Sequence, residues 1–65
     1  MLHFNDLTLP CPPGLTLSAL LFAQKVNVEQ VATAVNGSFV PREQRATTLL
    51  HPGDTVLTFQ AIVGG

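Results

Sequence analysis

Residues 31–40 read VATAVNGSFV and contain the clearest folding signal in the sequence. Five residues rich in β-branched side chains precede Asn36-Gly37, a dipeptide that tolerates the positive φ angles of a two-residue hairpin turn. Three more strand-forming residues follow, and Pro41 then ends the strand because proline has no backbone N–H to donate. The stretch therefore predicts two antiparallel strands joined at Asn36-Gly37.

Upstream of this hairpin, the N-terminal residues predict a second one. Leu2-His3-Phe4 and Leu7-Thr8-Leu9 each alternate apolar and polar side chains, which is the pattern of a half-buried strand. Asn5-Asp6 lie between them, and both residue types are common in tight turns. We therefore expect residues 2–10 to form a β-hairpin.

One helix is predicted between the two hairpins. Thr16 can accept a first-turn N–H through its hydroxyl, as a helix N-cap does. Leucines at positions 17, 20 and 21 then recur at helical spacing. The predicted amphipathic helix runs from Thr16 to about Val26.

After Pro41 the strand signals are weaker until the end of the chain. Residues 41–47 are polar and predict an irregular loop, and residues 48–50 predict a brief edge strand. Pro52-Gly53-Asp54 predicts a turn. Residues 55–63 form the longest β-like segment.

These elements in this order predict a two-layer α+β domain, with one helix across one face of a mixed sheet. The parallel crossover through the helix is expected to be right-handed. This arrangement is the β-grasp fold, the architecture of ubiquitin. We expect residues 1–65 to form a single domain with a flexible tail at residues 64–65.

The composition argues against several classes of function. The formal net charge is −1, with only three Lys and Arg residues, so the basic cluster that nucleic-acid binding needs is missing. The longest apolar run, residues 19–23, is far shorter than a membrane span, and no basic stretch followed by an apolar one marks a secretory signal. We expect a cytoplasmic domain that binds neither nucleic acid nor membrane.

The side chains do not predict an enzyme. Cys11 is the only cysteine, so it has no internal disulfide partner, and Cys11, His3 and His51 do not have the paired spacing of a zinc site. No nucleophile elbow, phosphate loop or metal-binding helix motif occurs. We therefore expect no catalytic side chain and no metal.

The last residues are chemically distinctive. Gly64 and Gly65 lack a Cβ, so a tail made of them is slender enough to enter a narrow channel and present a terminal carboxylate to another enzyme. In the strand before them, one row contains Val56 and Ile62, and the other contains Leu57, Phe59, Ala61 and Val63. Since one helix covers only one face of the sheet, one row stays open, and exposed apolar rows mark interaction sites. Alternation alone predicts that the Leu57/Phe59 row is the buried one.

Several motifs in a fixed order carry a resemblance to a known family. They are Ala34-Val35-Asn36-Gly37, Val40-Pro41-Arg42-Glu43-Gln44, Gly53-Asp54, Phe59-Gln60 and Gly64-Gly65. In order, spacing and length the sequence resembles the ThiS-type sulfur carriers of thiazole (thiamine) biosynthesis. One departure is Arg45, which stands where relatives often have Trp or another large residue.

The resemblance implies a carrier that is activated on Gly65. A partner resembling ubiquitin-activating enzymes would use ATP to adenylate the Gly65 carboxylate, and a persulfide donor would displace AMP and leave a thiocarboxylate. Thiazole synthase would then take the sulfur. The carrier itself would hold no cofactor, because ATP is used by the activating partner.

The resemblance also reverses the orientation of the last strand. By analogy with ubiquitin-like folds, Val56 and Thr58 should face the helix. Leu57, Phe59 and Val63 should then lie on the open face and bind the partner enzymes.

Three alternatives remain open on the sequence. The small subunit of molybdopterin synthase shares the fold and the terminal Gly-Gly chemistry, although those chains tend to be longer and lack the Val-Pro-Arg-Glu-Gln stretch. A ubiquitin-like modifier would form isopeptide adducts with lysine. A plain binding module would remain active without Gly65.

Overall fold

The computed structural model describes residues 1–60, and residues 61–65 lie outside that range. Within the described part the chain forms five strands, one α-helix and one 3₁₀ helix. Their bounds are β1 Leu2–Phe4, β2 Leu7–Leu9, α1 Leu17–Ala23, β3 Val31–Val35, β4 Ser38–Val40, the 3₁₀ helix Arg42–Thr47 and β5 Thr55–Gln60. The predicted flexible tail at Gly64-Gly65 lies outside the described residues.

The strands form one mixed sheet in the order β2-β1-β5-β3-β4. β5 runs parallel to β1 and antiparallel to β3, so it is the central strand. The helix α1 packs on one face of this sheet through Leu17, Leu20 and Leu21, all buried. The β-grasp architecture predicted from the order of elements is confirmed.

Both predicted hairpins are confirmed. Asn36 and Gly37 both have the positive φ of a tight turn, whereas at Asn5-Asp6 only Asn5 has it. Asn5 has φ 51°, and Asn36 and Gly37 have φ 52° and 82°. β1 pairs with β2, and β3 pairs with β4, in antiparallel register. At Asn36-Gly37 two consecutive residues are left-handed, as a type I′ hairpin turn requires. Asn and Gly adopt this conformation at low cost.

The predicted N-cap of the helix is also confirmed, but the predicted helix end is wrong. The backbone N–H of Ala19 donates to Thr16 Oγ1 at 3.1 Å, as a cap requires. The helix ends at Ala23 rather than near Val26, because Lys25 adopts φ 58° and turns the chain away. Glycine or asparagine usually marks such a turn, so lysine gave no sequence signal there.

The segment between β4 and β5 differs from the predicted loop and edge strand. Residues 42–47 form a 3₁₀ helix that begins directly after Pro41. The predicted strand at residues 48–50 is reduced to a single bridge between Thr16 and Leu49. Leu50 is buried in the core, and its N–H donates to the Leu15 carbonyl at 2.8 Å.

The core lies between α1 and the sheet. It contains residues from β1, α1, β4, β5 and the segment before β5. The side chains of Leu2, Leu17, Leu21 and Val56 are fully buried. Among the described residues the cluster consists of Leu2, Phe4, Leu17, Leu20, Leu21, Val40, Leu50 and Val56. Burial of this apolar surface is the main source of stability in a chain whose single cysteine, Cys11, is free.

Candidate functional site

The two apolar rows of β5 face opposite sides of the sheet. Val56 is fully buried in the core beneath α1. Because side chains alternate along a strand, Leu57 and Phe59 face away from the helix. Leu57 is half-buried and Phe59 is 51% exposed. The orientation implied by the family resemblance is therefore confirmed, and the burial of this row expected from alternation alone is wrong.

Neighbouring strands extend this row into an apolar patch. In the sheet register Ala34 lies opposite Leu57, Ala32 opposite Phe59, and Phe39 opposite Ala34. Phe39 is 68% exposed. We call these five residues the open-face patch: Ala32, Ala34, Phe39, Leu57 and Phe59.

Phe39 was not among the predicted partner-binding residues. Its position follows from the hairpin at Asn36-Gly37, which pairs Ala34 with Phe39. This position could have been predicted from the sequence, because the hairpin was predicted. Side chains alternate along a strand, so Phe39 faces the side of the sheet opposite to Ser38 and Val40. The register of the hairpin, combined with the orientation of β5, would have placed Phe39 among the predicted partner-binding residues.

The end of β5 is held on both sides. Asn5 receives the backbone N–H of Thr58 on Oδ1 at 3.0 Å and donates from Nδ2 to Thr58 Oγ1 at 3.1 Å. On the other side Gln60 pairs with Val31 of β3. Of the other predicted site residues, Val63, Gly64 and Gly65 lie outside the described residues. The described strand thus places Leu57 and Phe59 on one face, with Phe59 five positions before Gly64 in the sequence.

The start of β5 is fixed by a polar cluster around Asp54. Its Oδ1 accepts from Asn36 Nδ2 at 3.0 Å, and its Oδ2 accepts from the backbone N–H of His51 at 2.8 Å. Asn36 Oδ1 in turn accepts the backbone N–H of Thr55 at 2.9 Å. The hydrogen bond from Asn36, followed by that from His51, lowers the pKa of the Asp54 carboxyl. Two of the quoted motifs, Asn36-Gly37 and Gly53-Asp54, therefore have a structural role in positioning β5.

Among residues 1–60, no three His, Cys, Asp or Glu side chains lie close enough to hold a metal ion. In the same part of the chain, no helix is long and apolar enough to cross a membrane. Cys11 is half-buried against the core. His51 is exposed, and its Nδ1 lies 3.8 Å from Asp54 Oδ2.

A groove of about 590 Å³ lies beside the end of α1 and the loop that follows it. Phe22, which lines it, is 85% exposed. Ser18 and Lys25 are its polar lining residues, and the other lining side chains are apolar. Its lining residues are Ser18, Phe22, Ala23, Lys25, Val26 and Val28.

Comparison with known proteins agrees with this geometry. The family model described as "ThiS family" matches residues 2–65. The sulfur carrier protein ThiS of Escherichia coli K12 is 40% identical over 62 residues, which cover 95% of this chain and 94% of that protein. The crystal structure of the thiamine biosynthesis protein ThiS from Geobacter metallireducens superposes with a TM-score of 0.83 at 31% identity, covering 98% of this chain and 97% of that one. The chain belongs to the ThiS family.

Proposed function

We propose that this protein is a sulfur carrier of thiamine biosynthesis, and that its Gly65 carboxylate is the group that carries sulfur. The observation that carries the proposal is the open-face patch on β5, the strand whose last described residue, Gln60, lies four positions before Gly64. A partner enzyme that binds this patch has the tail within its reach. The name of the Escherichia coli relative, sulfur carrier protein ThiS, supports the same role.

Sulfur loading begins with activation of the carboxylate. A carboxylate is a poor electrophile, so an adenylating partner of the ubiquitin-activating type transfers AMP from ATP to Gly65 and releases pyrophosphate. A persulfide sulfur of the donor enzyme then attacks the acyl carbon, and AMP leaves. A thiol cleaves the resulting acyl disulfide, which leaves the thiocarboxylate on Gly65 and a disulfide on the thiol side.

In the next step thiazole synthase accepts the sulfur. A thiocarboxylate sulfur is a better nucleophile than a carboxylate oxygen, and on Gly65 it has no side chain beside it. The chain therefore serves as a co-substrate and not as a catalyst, in the way that group carriers do. It holds no cofactor of its own, since ATP is bound by the activating partner, and we place this chemistry in the cytoplasm.

The partners must recognise the carrier through something other than charge. With three Lys and Arg residues and four Asp and Glu residues in total, the chain has little charge to steer association. The open-face patch offers two exposed aromatic rings instead, and aromatic side chains are enriched among interface hot spots. We propose Leu57, Phe59 and Val63 as partner-binding residues, with Phe39 added by the sheet register.

The experiment that tests the proposal is an intact-mass measurement. The carrier is incubated with candidate activating enzyme, ATP, a persulfide donor and a thiol reductant. We expect a mass gain equal to the exchange of one oxygen for sulfur, and no gain when ATP is left out. Transfer of the sulfur to molybdopterin precursor but not to thiazole synthase would indicate the molybdopterin-synthase alternative, and isopeptide adducts on lysine would indicate a modifier.

The substitution Phe59→Ala tests whether the open-face patch binds the activating enzyme. Phe59 is 51% exposed, so its truncation is expected to leave the thermal midpoint almost unchanged. Loss of an aromatic hot spot should raise the Kd of the complex about 10-fold or more. Titration calorimetry with the activating enzyme measures the change.

Phe22→Ala is the matched control for this prediction. It removes the same ring from a site that is 85% exposed but lies on α1, away from the open-face patch. Binding is expected to be unaffected. A large loss of stability in Phe59→Ala with wild-type affinity would instead place Phe59 in the core.

A further inference from the structure

Arg45 is buried, and within residues 1–60 none of its hydrogen-bond acceptors is a carboxylate. It is 5% exposed, and its guanidinium makes three hydrogen bonds. Nη2 donates to the Val31 carbonyl at 2.7 Å, Nη1 to the Val28 carbonyl at 2.9 Å and Nε to Thr33 Oγ1 at 3.2 Å. All three acceptors are neutral oxygens. Burying a cation whose hydrogen-bond acceptors are all neutral costs free energy, so we expect Arg45 to have a specific role.

The hydrogen bond from Arg45 to Val31 lies at the end of β3 that has no β4 residue beside it. β4 ends at Val40, which is opposite Thr33, so Val31 extends beyond the end of β4. Backbone groups of successive residues in a strand point alternately to its two neighbours. Since Asn36 donates its N–H to Thr55 of β5, residues 31, 33 and 35 direct their backbone groups to the β4 side. The Val31 carbonyl would have no strand to bond with, and Arg45 supplies the donor.

Two residue pairs between β3 and the last described residues of β5 depend on this end of β3. Ala32 lies opposite Phe59, and Val31 lies opposite Gln60, the last described residue of β5. An unsupported first half of β3 would separate more readily from β5, because strand ends with unpaired backbone groups open most easily. The orientation of Phe59 and the direction in which the chain leaves β5 both depend on these two pairs.

We propose that Arg45 is a positioning residue for partner recognition: it replaces the missing end of β4 and holds β3 against the last residues of β5. The proposal rests on the proposed function, in which Phe59 and the following tail are presented to the activating enzyme. The three hydrogen bonds of Arg45 go to Val28, Val31 and Thr33, so it acts on Phe59 through Val31 and Ala32. A guanidinium suits this role because its donors are fixed in a planar fork, so one side chain can bridge two carbonyls and a hydroxyl.

Amide hydrogen exchange measured by NMR on the isolated carrier tests the structural half of the proposal. In Arg45→Met, the amides of Ala32 and Phe59 are expected to exchange about 10-fold faster than in the wild type, whereas those of Ala34 and Leu57, closer to the hairpin, change little, because only one end of the strand pair is released. Arg42→Met is the matched control. It removes the same charge and one hydrogen bond, from Arg42 Nη2 to the Glu29 carbonyl at 3.3 Å, and this acceptor lies before the start of β3 at Val31.

Steady-state adenylation tests the functional half. Arg45→Met is expected to raise the KM for the carrier about fivefold with kcat within about twofold, since it disturbs binding and leaves Gly65 intact. Arg42→Met should match the wild type. If Arg45→Met does not fold, Arg45→Lys, which keeps the charge but can bridge fewer acceptors, should show the same selective exchange to a smaller degree.

Two results would overturn the inference. One is a uniform increase in exchange across the sheet, which would make Arg45 a general stabilising residue. The other is selective exchange with an unchanged KM. If the wild-type carrier is not adenylated at all, the proposed function fails, whereas the exchange pattern still decides whether Arg45 holds β3 to β5.

Discussion

Deleting Gly65 is expected to abolish thiocarboxylate formation while leaving the fold intact. The deletion moves the terminal carboxylate back by about 3.3–3.6 Å, the reach of one extended residue. Misplacement of reacting groups by about 1 Å can cost about 100-fold in rate, so adenylation should fall at least that far. The ATP-dependent mass gain of the carrier measures the loss.

Gly64→Val provides a companion to the deletion that keeps the chain length. A β-branched side chain would obstruct a channel shaped for bare backbone, so we expect a loss nearly as large, and Gly64→Ala should lose less. The thermal midpoint should not change in any of the three variants, because the described core cluster lies within residues 2–56, eight or more positions before Gly64. Normal sulfur transfer by the Gly65 deletion would disprove the proposed function.

Leu20→Ala is expected to destabilise the domain by about 2–5 kcal/mol, as large-to-small substitutions in a packed core do. Leu20 is 3% exposed and belongs to the cluster between α1 and the sheet. At roughly 0.05–0.15 kcal/mol per residue, a chain of 65 residues has about 3–10 kcal/mol of total stability. The substitution would therefore remove a large part of the total stability, which urea titration followed by circular dichroism would show as a lower unfolding midpoint.

Leu49→Ala is the control, because it makes the same chemical change at a residue that is 54% exposed. It is expected to change the free energy of unfolding by no more than about 0.5 kcal/mol, since exposed side chains without special contacts contribute little. Equal losses in the two variants would contradict the placement of Leu20 in the core.

The sequence predicted those elements that depend on local chemistry. The turns at Asn5 and Asn36-Gly37 were predicted because these residues adopt positive φ at low cost. The N-cap at Thr16 was predicted because a hydroxyl can accept an N–H three residues ahead. From these elements the order of strands and helix, and hence the β-grasp fold, followed.

The elements that the sequence did not predict depend on tertiary contacts. Lys25 ends α1 in a conformation that its residue type does not favour. Arg45 was placed in a polar loop, yet it is buried, because its hydrogen-bond partners come from residues 28, 31 and 33, which lie far away in sequence. Burial lowers the pKa of this guanidinium. Periodicity in a short polar segment contains no information about such partners.

The candidate site was predicted in part. Both rows of β5 are apolar, so alternation alone could not decide which faces the helix, and it favoured the wrong one. The analogy with ubiquitin-like folds gave the orientation in which Val56 is buried. Phe39 was not predicted as a partner-binding residue. It joins the open-face patch because β4 pairs with β3, where Phe39 lies opposite Ala34, and its neighbours in sequence do not indicate this.

The central position of β5 has a consequence for the order in which the protein matures. During translation, residues 55–60 leave the ribosome after every other described element, yet they must insert between β1 and β3. Pairings between such distant parts of a chain form late in folding, because a long loop must close first. Until β5 is inserted, Leu57 and Phe59 do not line up beside Ala34 and Ala32. In the proposed function, an enzyme that binds the carrier through this face would engage only chains in which β5 is already paired with β3.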